Sequence, residues 1–298
     1  MFTAIVVTYN RSKLLKRCLN SLLCQNANLL DSIIVVNNAS IDDTEVVVKS
    51  IQTDSIIPIE LISLKENLGG AGGFRLGLEK AVDTTQSDWF ILLDDDVIFD
   101  KNCINEINRH VDKYSCMIAV RETSEGKLAE YAALTYNLKN PFLINPKRQS
   151  IASKFHTRNN MPEIVEIDAG SFEGFFIERK MINKIGFPRA EFFIYSDDFE
   201  YSLRLRSQGI KIAAIKKARC IRMLDYCSNK YKGWKSYYIW RNFFVLHLLY
   251  GENALVRSKP ILFMLILYFL KPFVQPEFSP FKVLKDAYHI SHKIRNSI

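Results

Sequence analysis

Apolar runs and helical repeats alternate along the first hundred residues. Runs of strand character lie at 4–9, 32–36, 59–64 and 89–93, and the continuous apolar run at 89–93 is typical of a strand buried on both faces. Between them, apolar residues recur at helical spacing after Ser12, after Asp42–Thr44 and after Gly69. Strands that alternate with helices predict an α/β fold, in which a mostly parallel sheet with right-handed crossovers is flanked by helices.

The pattern is less regular from residue 101 onward. Helical spacing predicts three helices, at 101–115, from Glu178 to Ile185, and beyond a cap at Ser196 or Asp197. Apolar runs predict strands at 117–120 and, as a strand pair or a bulged strand, at 164–177. The polar and basic stretch 137–162 is loop-like, and long loops in compact domains often bind or cover ligands.

The C-terminal region combines aromatic, apolar and basic segments. Residues 231–244 interleave aromatic with basic side chains, which fits either a packed helix or an interface with a membrane or a nucleic acid. The apolar run 261–270 predicts a short helix and no membrane span, because a span takes about 20 residues. With the basic segment 282–295, these features predict a helical, basic extension at 246–298 that attaches peripherally to a membrane.

Charge is divided unevenly along the 298 residues. The net charge is +8, but residues 201–298 hold 18 Lys and Arg against 4 Asp and Glu, whereas residues 1–200 hold 22 against 28. A basic C-terminal third predicts an anionic partner, and charge alone leaves open nucleic acid, anionic lipid and a pyrophosphate-bearing acceptor. Six cysteines without a Cys-x-x-Cys pair indicate reduced thiols and argue against zinc. No basic leader precedes the first strand, so we expect no signal peptide.

Three consecutive carboxylates, Asp94–Asp96, directly follow the strand at 89–93. Ligands of open α/β sheets bind at the carboxyl ends of the strands, and three crowded acids repel one another unless protons or a cation neutralise them. The simplest solution is Mg²⁺ or Mn²⁺, which takes one or two carboxylates and completes its shell with phosphate and water. An acidic turn that caps the next helix is the alternative.

A glycine-rich segment, Gly69–Gly73, follows the third predicted strand. Bare backbone N–H groups at a helix start can hold a phosphate, whereas the alternative use of these glycines is close packing of helix on sheet. A nicotinamide-binding fold would place its glycines after the first strand, where this chain has Thr8–Arg11 instead.

A second acidic cluster, Asp197, Asp198 and Glu200, lies beside aromatic residues. Acids in the first turn of a helix can simply cap it and favour its dipole. Alternatively, an aromatic environment would raise the pKa of one carboxylate towards neutrality, so that this group could serve as a base.

Five segments, in this order, resemble the family-two inverting glycosyltransferases. They are Val6–Arg11, Val35–Ser40 with Asp42 and Thr44, Asn67–Gly70, Asp94–Asp96 and Asp197–Tyr201. The resemblance covers roughly residues 2–245, and Gly69–Phe74 looks most like the bacterial galactofuranosyltransferases, with rhamnosyltransferases of O-antigen and capsule assembly close behind. It implies a GT-A fold with a Rossmann-like, mostly parallel sheet. Residues 1–100 would bind the nucleotide sugar, 101–245 would carry the acceptor and the catalytic acids, and 246–298 would be the extension.

The resemblance also implies a role for each segment and a divalent metal, Mn²⁺ or Mg²⁺. The residues implied in donor binding are Thr8, Tyr9, Asn38 and Ser40 at the base and ribose, Asn67, Gly70 and Arg75 at the diphosphate, and Asp94 and Asp95. The metal ligands would be Asp94 and Asp96. Asp198 would be the general base, and Asp197 and Glu200 would orient the acceptor or the base.

Two positions depart from the family pattern. Asn38 stands where the family often has an Asp, although its amide can still pair with a uracil or thymine edge. Many members carry a His ligand to the metal after the second acidic cluster, whereas the comparable stretch here, Cys220–Asp225, has none. Metal coordination would then be weaker, incomplete, or completed by Asp225.

The reaction implied by the resemblance is inverting transfer of galactofuranose or rhamnose from UDP or dTDP to a glycan or a polyprenyl-diphosphate-linked acceptor, in bacterial surface polysaccharide synthesis. Such an enzyme would work in the cytoplasm, peripherally on the inner face of the membrane, with no nucleic-acid partner.

Two alternatives stay open. A sugar nucleotidyltransferase would be expected to open with a glycine-rich basic loop, and a non-enzymatic membrane- or nucleic-acid-binding module would leave both acidic clusters unexplained. The transferase hypothesis requires Asp96 and Asp198 to face a single cleft.

Overall fold

One mixed sheet organises the computed structural model, which describes residues 1–224, 233–274 and 278–296, with the backbone alone at 271–274. Within these residues the sheet has nine strands, in the order β3-β2-β1-β4-β8-β6-β9-β5, with β7 also paired to β9. The strands are β1 Phe2–Thr8, β2 Leu30–Asn37, β3 Ile59–Ser63, β4 Trp89–Asp94, β5 Val97–Phe99, β6 Cys116–Thr123, β7 Ile164–Ile167, β8 Phe175–Glu178 and β9 Ile212–Arg222.

Helices cover both faces of the sheet and form the C-terminal region. They are α1 Ser12–Leu23, α2 Thr44–Asp54, α3 Gly69–Thr84, α4 Cys103–Asn108, α5 Ile151–Phe155, α6 Arg179–Ile185, α7 Asp197–Ser207, α8 Trp234–Tyr250, α9 Ala254–Val274 and α10 Pro280–Asn296, with a 3₁₀ turn at Ala190–Phe192.

The four strands predicted from the first hundred residues are neighbours and run parallel, as β3-β2-β1-β4. Strand β1 is buried on both faces: Phe2, Ala4 and Val6 pack into the core that includes α1 and α4, and Ile5 and Val7 pack against α3. A strand that is apolar on both faces belongs in the centre of a parallel sheet. The α/β prediction with a mostly parallel sheet is therefore confirmed.

Three elements differ from the sequence-based expectation. The helix expected at 101–115 is limited to α4, because Cys103, Ile104 and Ile107 are its fully buried positions and the residues after them form turns. The segment 164–177 forms two strands with different partners, since β7 pairs with β9 and β8 pairs with β4 and β6. Strand β9 was not expected, since Lys216 and Lys217 interrupt its apolar pattern.

The C-terminal helices pack as part of one body with the sheet domain. Buried residues of α8, α9 and α10 join Phe192 and Leu203 in one apolar cluster, so 234–244 behaves mainly as packed helix. The boundary proposed at 245/246 falls inside α8. Tyr231 and Lys232, included in the predicted aromatic and basic stretch, lie outside the described residues. Among the helices described, none has the length and apolar character to cross a membrane.

The glycines of α3 let this helix lie directly against the sheet. A Cβ atom on Gly77 would lie 2.4 Å from Cγ2 of Ile5, and one on Gly73 would lie 2.6 Å from Cγ1 of Val7. At Gly70, by contrast, a Cβ atom would meet nothing within 4 Å. Close packing therefore explains Gly73 and Gly77, whereas Gly70 borders open space.

Replacing Gly77 with Ala should lower the free energy of unfolding by about 1–3 kcal/mol, because an extra methyl group in a packed core displaces its neighbours. Gly70→Ala, in the same helix, is the matched control. It should leave that free energy unchanged or raise it by up to about 1 kcal/mol, the difference in helix propensity between Gly and Ala. Urea denaturation measures both, and equal effects of the two variants would contradict the close approach at Gly77.

Candidate active site

The ends of four parallel strands bring most of the predicted donor-binding segments to one edge of the sheet. In the strand register Thr8 lies beside Asn37, Asn37 beside Ser63, and Val7 beside Asp94. The loops that follow these strands therefore start at the same level. This is the carboxyl edge, where open α/β sheets bind their ligands.

The acid triplet is held in place by the end of β1. Asp95 is buried, and it accepts hydrogen bonds from Oγ1 of Thr8 at 2.7 Å and from Nη1 of Arg11 at 3.1 Å. The same guanidinium lies 3.6 Å from Oδ2 of Asp96. Thr8 and Arg11 thus fix the conformation of the triplet, and Asp95 is engaged by the protein itself.

A second arginine approaches the triplet from β9. Arg222 lies opposite Val97 in the register, with Nε 3.7 Å from Oδ2 of Asp96 and Nη1 3.5 Å from Oε1 of Glu173. The amide of Met223 donates to the carbonyl of Asp96 at 2.8 Å. The stretch without the expected His therefore does lie beside the triplet, but it presents a guanidinium to Asp96. Asp225, the proposed substitute ligand, lies outside the described residues.

Glu173 and Arg121 extend this charge network into the protein. Arg121 is 1% exposed, contacts Glu173, and pairs with Glu130 at 2.9 Å. Although burial opposes ionisation, Arg121 and Arg222 hold the pKa of Glu173 below its usual value. Glu173 is thus a buried carboxylate that remains ionised, and no sequence motif singled it out.

The triplet carboxylates resist ionisation. Burial, then repulsion from Asp96, Glu173 and Asp95, raises the pKa of Asp94 well above its usual value. Burial also raises the pKa of Asp96, against the opposing influence of Arg222, and the pKa of Asp95 to about 6 despite Arg11 and Thr8. Such a site favours binding of protons or of a cation.

The triplet fits a divalent cation of the kind that completes its shell with phosphate. Oδ1 of Asp96 is buried and accepts no hydrogen bond. Across the residues described, no three His, Cys, Asp or Glu side chains are grouped so as to enclose a metal. Mg²⁺ commonly takes only one or two carboxylates and leaves its other positions to water and substrate phosphate. Asp94 and Asp96, at an edge where a diphosphate can enter, are donors of this type.

The second acidic cluster starts α7. Burial, and then the charge of Asp197, raises the pKa of Asp198 well above its usual value, and burial raises the pKa of Asp197 to about 6. Glu200 is fully buried and paired with Arg189 at 2.9 Å and Arg204 at 3.0 Å. Glu200 therefore anchors α7, whereas Asp198 has the properties of a base.

The two acidic clusters approach the same ion pair. The charges of Glu173 and Arg121 influence the pKa of Asp96 and the pKa of Asp198 alike. Asp198 also contributes to raising the pKa of Tyr136, which is buried. Asp96 and Asp198, about a hundred residues apart in sequence, thus both lie within electrostatic range of Arg121 and Glu173.

The segment before α7 is strained and is held by α8. Phe193, Tyr195 and Ser196 have φ of 61°, 67° and 61°, a left-handed conformation that costs energy in residues other than glycine. The buried amide of Asn242 lies 2.9, 2.9 and 2.7 Å from the carbonyl oxygens of Phe192, Ile194 and Tyr195. Arg241 donates to the carbonyls of Glu191 and Phe192, both at 2.8 Å. Together, Arg241 and Asn242 form a clamp on the loop that carries Asp197 and Asp198.

The remaining predicted donor residues divide into accessible and engaged side chains. Tyr9 and Arg75 are 45% and 46% exposed, and Arg75 pairs with Glu79 on the helix surface. The side chain of Asn38 is buried, donates to the carbonyl of Gly69 and accepts from the amide of Leu68. It joins β2 to the start of α3, so its amide must exchange partners before it can pair with a base.

Ser40 and Asn67 shape the loops around the donor side. Oγ of Ser40 accepts from the amide of Asn10 at 2.9 Å, which ties the loops after β1 and β2 together. Oδ1 of Asn67 accepts from the amide of Gly69 at 2.8 Å and so supports the first turn of α3. Ser40 and Asn67 lie in the loops that follow β2 and β3, and they make structural hydrogen bonds there that the sequence did not reveal.

Comparison with known proteins agrees with this architecture. A family model described as "Glycosyl transferase family 2" matches residues 3–185. "Galactofuranosyltransferase GlfT1" of Mycobacterium tuberculosis (strain ATCC 25618 / H37Rv) is 30% identical over 214 residues, which are 70% of this chain and 65% of that protein. The chain thus spans slightly less than two thirds of that relative.

Two solved structures are similar in fold. The mannosyltransferase PcManGT from Pyrobaculum calidifontis, in complex with GDP-Man and Mn²⁺, has a TM-score of 0.58 and 16% identity, over 97% of this chain and 73% of that one. S. aureus TarS 1–349, in complex with UDP-GlcNAc, has a TM-score of 0.56 and 15% identity, over 91% of this chain and 73% of that one. At these identities the similarity concerns the fold, and it confirms the GT-A architecture.

Asp94→Asn should stabilise the metal-free protein at pH 8, because the amide removes a charge that burial and the neighbouring carboxylates disfavour in the folded state. Since the pKa of Asp94 is higher in the folded state than in the unfolded state, wild-type stability falls as the pH rises from about 4, the usual pKa of an aspartate, through the raised pKa. The gain should therefore vanish near pH 4. Denaturant unfolding at several pH values measures it, with exposed Asp83→Asn as control. A variant less stable than wild type at pH 8 would contradict the crowding of the triplet.

Asn242→Ala should reduce turnover about 10- to 100-fold while leaving nucleotide affinity within a few-fold, because the clamp positions the loop before Asp198 and small displacements of a catalytic group are costly. Gln25→Ala is the matched control, since this buried amide also donates to two backbone carbonyls, those of Ser21 and Asp100. The control should lower the melting temperature alone. If both variants lost turnover in proportion to stability, the positioning role of Asn242 would be wrong.

Proposed function

The chain belongs to glycosyl transferase family 2, and from this premise we propose that it transfers galactofuranose or rhamnose, with inversion, from a UDP or dTDP donor to an acceptor hydroxyl. The chain is 30% identical to a galactofuranosyltransferase over 214 residues, which are 70% of its length, and this similarity supports galactofuranose as the first candidate. The proposed acceptor is a glycan, free or linked to polyprenyl diphosphate, in bacterial surface polysaccharide synthesis.

The observation that carries the proposal is the ion pair shared by the two acidic clusters. Asp96 and Asp198 each lie close enough to Arg121 and Glu173 for their pKa values to respond to these charges. A group that holds the diphosphate and a group that removes a proton can then act on one donor–acceptor pair. A binding module without chemistry would leave both acid clusters unexplained.

Asp198 is suited to accept the proton of the acceptor hydroxyl, because burial and Asp197 raise its pKa. As this proton leaves, the acceptor oxygen bonds to the anomeric carbon. The bond between that carbon and the diphosphate oxygen breaks on the opposite side, which inverts the centre. Arg11 and Arg222, beside the triplet, would face the negative charge that develops on the diphosphate.

A divalent metal is part of the proposal. Asp94 and Asp96 would hold Mn²⁺ or Mg²⁺, which would supply Lewis-acid stabilisation of the leaving diphosphate. Asp197 and Glu200 would orient the base, Glu200 through its pairs with Arg189 and Arg204.

We also propose a cytoplasmic location with peripheral attachment to the inner face of the membrane, through the basic C-terminal helices. The alternative of a sugar nucleotidyltransferase is disfavoured by the family match and by the end of β1, where Thr8, Tyr9 and Asn10 stand in place of a glycine-rich loop.

Asp198→Asn should lower the rate of sugar transfer by about 10²–10⁴-fold, the usual contribution of a general base, while UDP binding stays within about threefold. The assay uses UDP-galactofuranose and dTDP-rhamnose with a soluble glycoside acceptor, with Mn²⁺ and with EDTA. Asp83→Asn, an exposed acid on α3, should behave as wild type. If Asp198→Asn transferred sugar at the wild-type rate, Asp198 would not be the general base. If the unmodified protein transferred neither sugar, the proposed donors would be wrong.

A further inference from the structure

Helix α9 is apolar on both sides, and only one side is covered. Val256, Phe263 and Met264 are buried against the neighbouring helices. On the other side Leu262, Leu265, Ile266 and Phe269 recur at helical spacing and are exposed, Phe269 to 70%. No charged residue occurs between Lys259 and Lys271. We call the exposed row Ile261, Leu262, Leu265, Ile266, Tyr268, Phe269 and Leu270 the α9 ridge.

The ridge belongs to a larger concentration of exposed apolar side chains. Of the twenty large hydrophobic residues exposed in the described part of the chain, ten lie between Leu255 and Tyr288. Phe281 and Tyr288 of α10 continue the surface, and the rings of Tyr268 and Phe281 are 5.2 Å apart. Single exposed hydrophobic residues are ordinary, but a contiguous row of this kind indicates an interaction surface.

Basic residues occur on the helix next to the ridge. Helix α10 carries Lys282, Lys285, Lys293 and Arg295, of which Lys293 pairs with Glu191, and its one acid, Asp286, accepts a hydrogen bond from Tyr237. Tyrosines next to an apolar row, with bases beside them, are typical of a surface that rests at the boundary between lipid headgroups and acyl chains. A two-fold contact between two copies would bring these bases close together, which argues for an anionic partner instead.

A hollow of about 380 Å³ opens beside the ridge between α8, α9 and α10. Its lining contains no carboxylate and consists of Leu248, Ala254, Arg257, Ser258, Ile261, Tyr288 and Arg295. Arg257 donates through Nε to the carbonyl of Gly251 at 2.7 Å, and Arg295 donates through Nη2 to that of Leu248 at 2.5 Å. Each guanidinium is thereby oriented and has further N–H groups to offer, a geometry suited to phosphate oxygens.

We propose that the α9 ridge lies in the interfacial layer of an anionic bilayer and that the hollow between Arg257 and Arg295 binds the phosphate of a phospholipid headgroup. This inference rests on the peripheral attachment proposed above and names its surface and its ligand, and it does not depend on which sugar is transferred. Because the other face of α9 packs on protein, the helix lies on the membrane without crossing it.

The same helix connects this surface to the acceptor side of the site. Nζ of Lys259 donates to the carbonyls of Asn140 and Leu143, at 3.1 and 2.7 Å. The loop so anchored begins after Tyr136, whose ring lies 5.4 Å from that of Phe199, the residue after Asp198 on α7. A lipid-linked acceptor in the bilayer would thus approach the catalytic base from the side on which the ridge meets the membrane.

The ridge is tested by vesicle flotation of the full chain, with phosphatidylcholine alone and with about 30% phosphatidylglycerol added. Wild type should float with the anionic vesicles. Leu265→Ser combined with Phe269→Ser should lose most of this binding and keep wild-type turnover on a soluble acceptor. Val46→Ser with Ile56→Ser, which removes two exposed apolar residues elsewhere, should float as wild type. Undiminished flotation of the ridge variant would overturn the proposal.

The hollow is tested separately by charge. Arg257→Gln with Arg295→Gln should weaken binding to anionic vesicles about 30-fold, equivalent to about 1 kcal/mol for each basic residue at such a surface. Lys16→Gln with Arg17→Gln, exposed on α1, removes the same charge and should change binding less than about threefold. Lysine at both pocket positions should restore most of the binding if the fold is intact.

Three further results would overturn the inference. If the variants of α1 and of the hollow lost vesicle binding equally, net charge alone would explain the attraction to anionic vesicles. If free glycerol phosphate competed for the hollow as strongly as anionic vesicles do, the ligand would be a soluble phosphate and not a lipid headgroup. If the wild type were a dimer, the ridge variant a monomer, and neither floated with vesicles, the ridge would be a contact between two copies of the chain. Loss of sugar transfer with intact flotation would instead count against the proposed function alone.

Discussion

Repulsion among buried carboxylates at the carboxyl edge of the sheet is the constraint on which the rest of this structure depends. Strand β4 ends at Asp94, and Asp95 and Asp96 follow it. Burial raises the pKa of each carboxyl, and repulsion within the triplet raises the pKa of Asp94 and Asp95 further. Arg11 reaches them from the end of β1, and Arg222 from the end of β9. The fold therefore keeps the triplet intact with two cations that can also face a diphosphate. A site of this kind favours the binding of protons or of a cation.

A second constraint acts on the segment before α7, which leads to Asp198, the proposed base. Asp198 follows a loop with three left-handed residues, and strain of this kind persists only where the surrounding structure enforces it. Here Arg241 and Asn242 of α8 enforce it through backbone carbonyls. The C-terminal helices therefore hold the segment that leads into α7, and the same helical layer presents the apolar ridge to the outside. The support of the segment before Asp198 and the exposed ridge are properties of one packed cluster.

Much of the fold could be predicted because the relevant signals are local. The runs that became β1, β2 and β4 are largely apolar on both faces, and the alternation of strands with helices placed the acid triplet at the carboxyl edge of the sheet. The helix α8 and the strand β9 were harder, since aromatic–basic alternation fits two environments, and Lys216 and Lys217 mask the strand. Arg121, Glu173 and Arg222 were missed as site residues because their meeting point is set by the pairing of β6, β8 and β9, which no short motif encodes. The exposed side of α9 was equally hidden, since a sequence does not show which face of an apolar helix is covered.

The most direct test of the account is the position of a bound metal. A crystal of the protein with UDP and Mn²⁺ should give an anomalous manganese signal between Asp94, Asp96 and the diphosphate, with the carboxylate of Asp198 opening into the same cleft. A manganese signal elsewhere, or a nucleotide bound where Asp198 faces a different surface, would contradict the meeting of the two acidic clusters around Arg121 and Glu173.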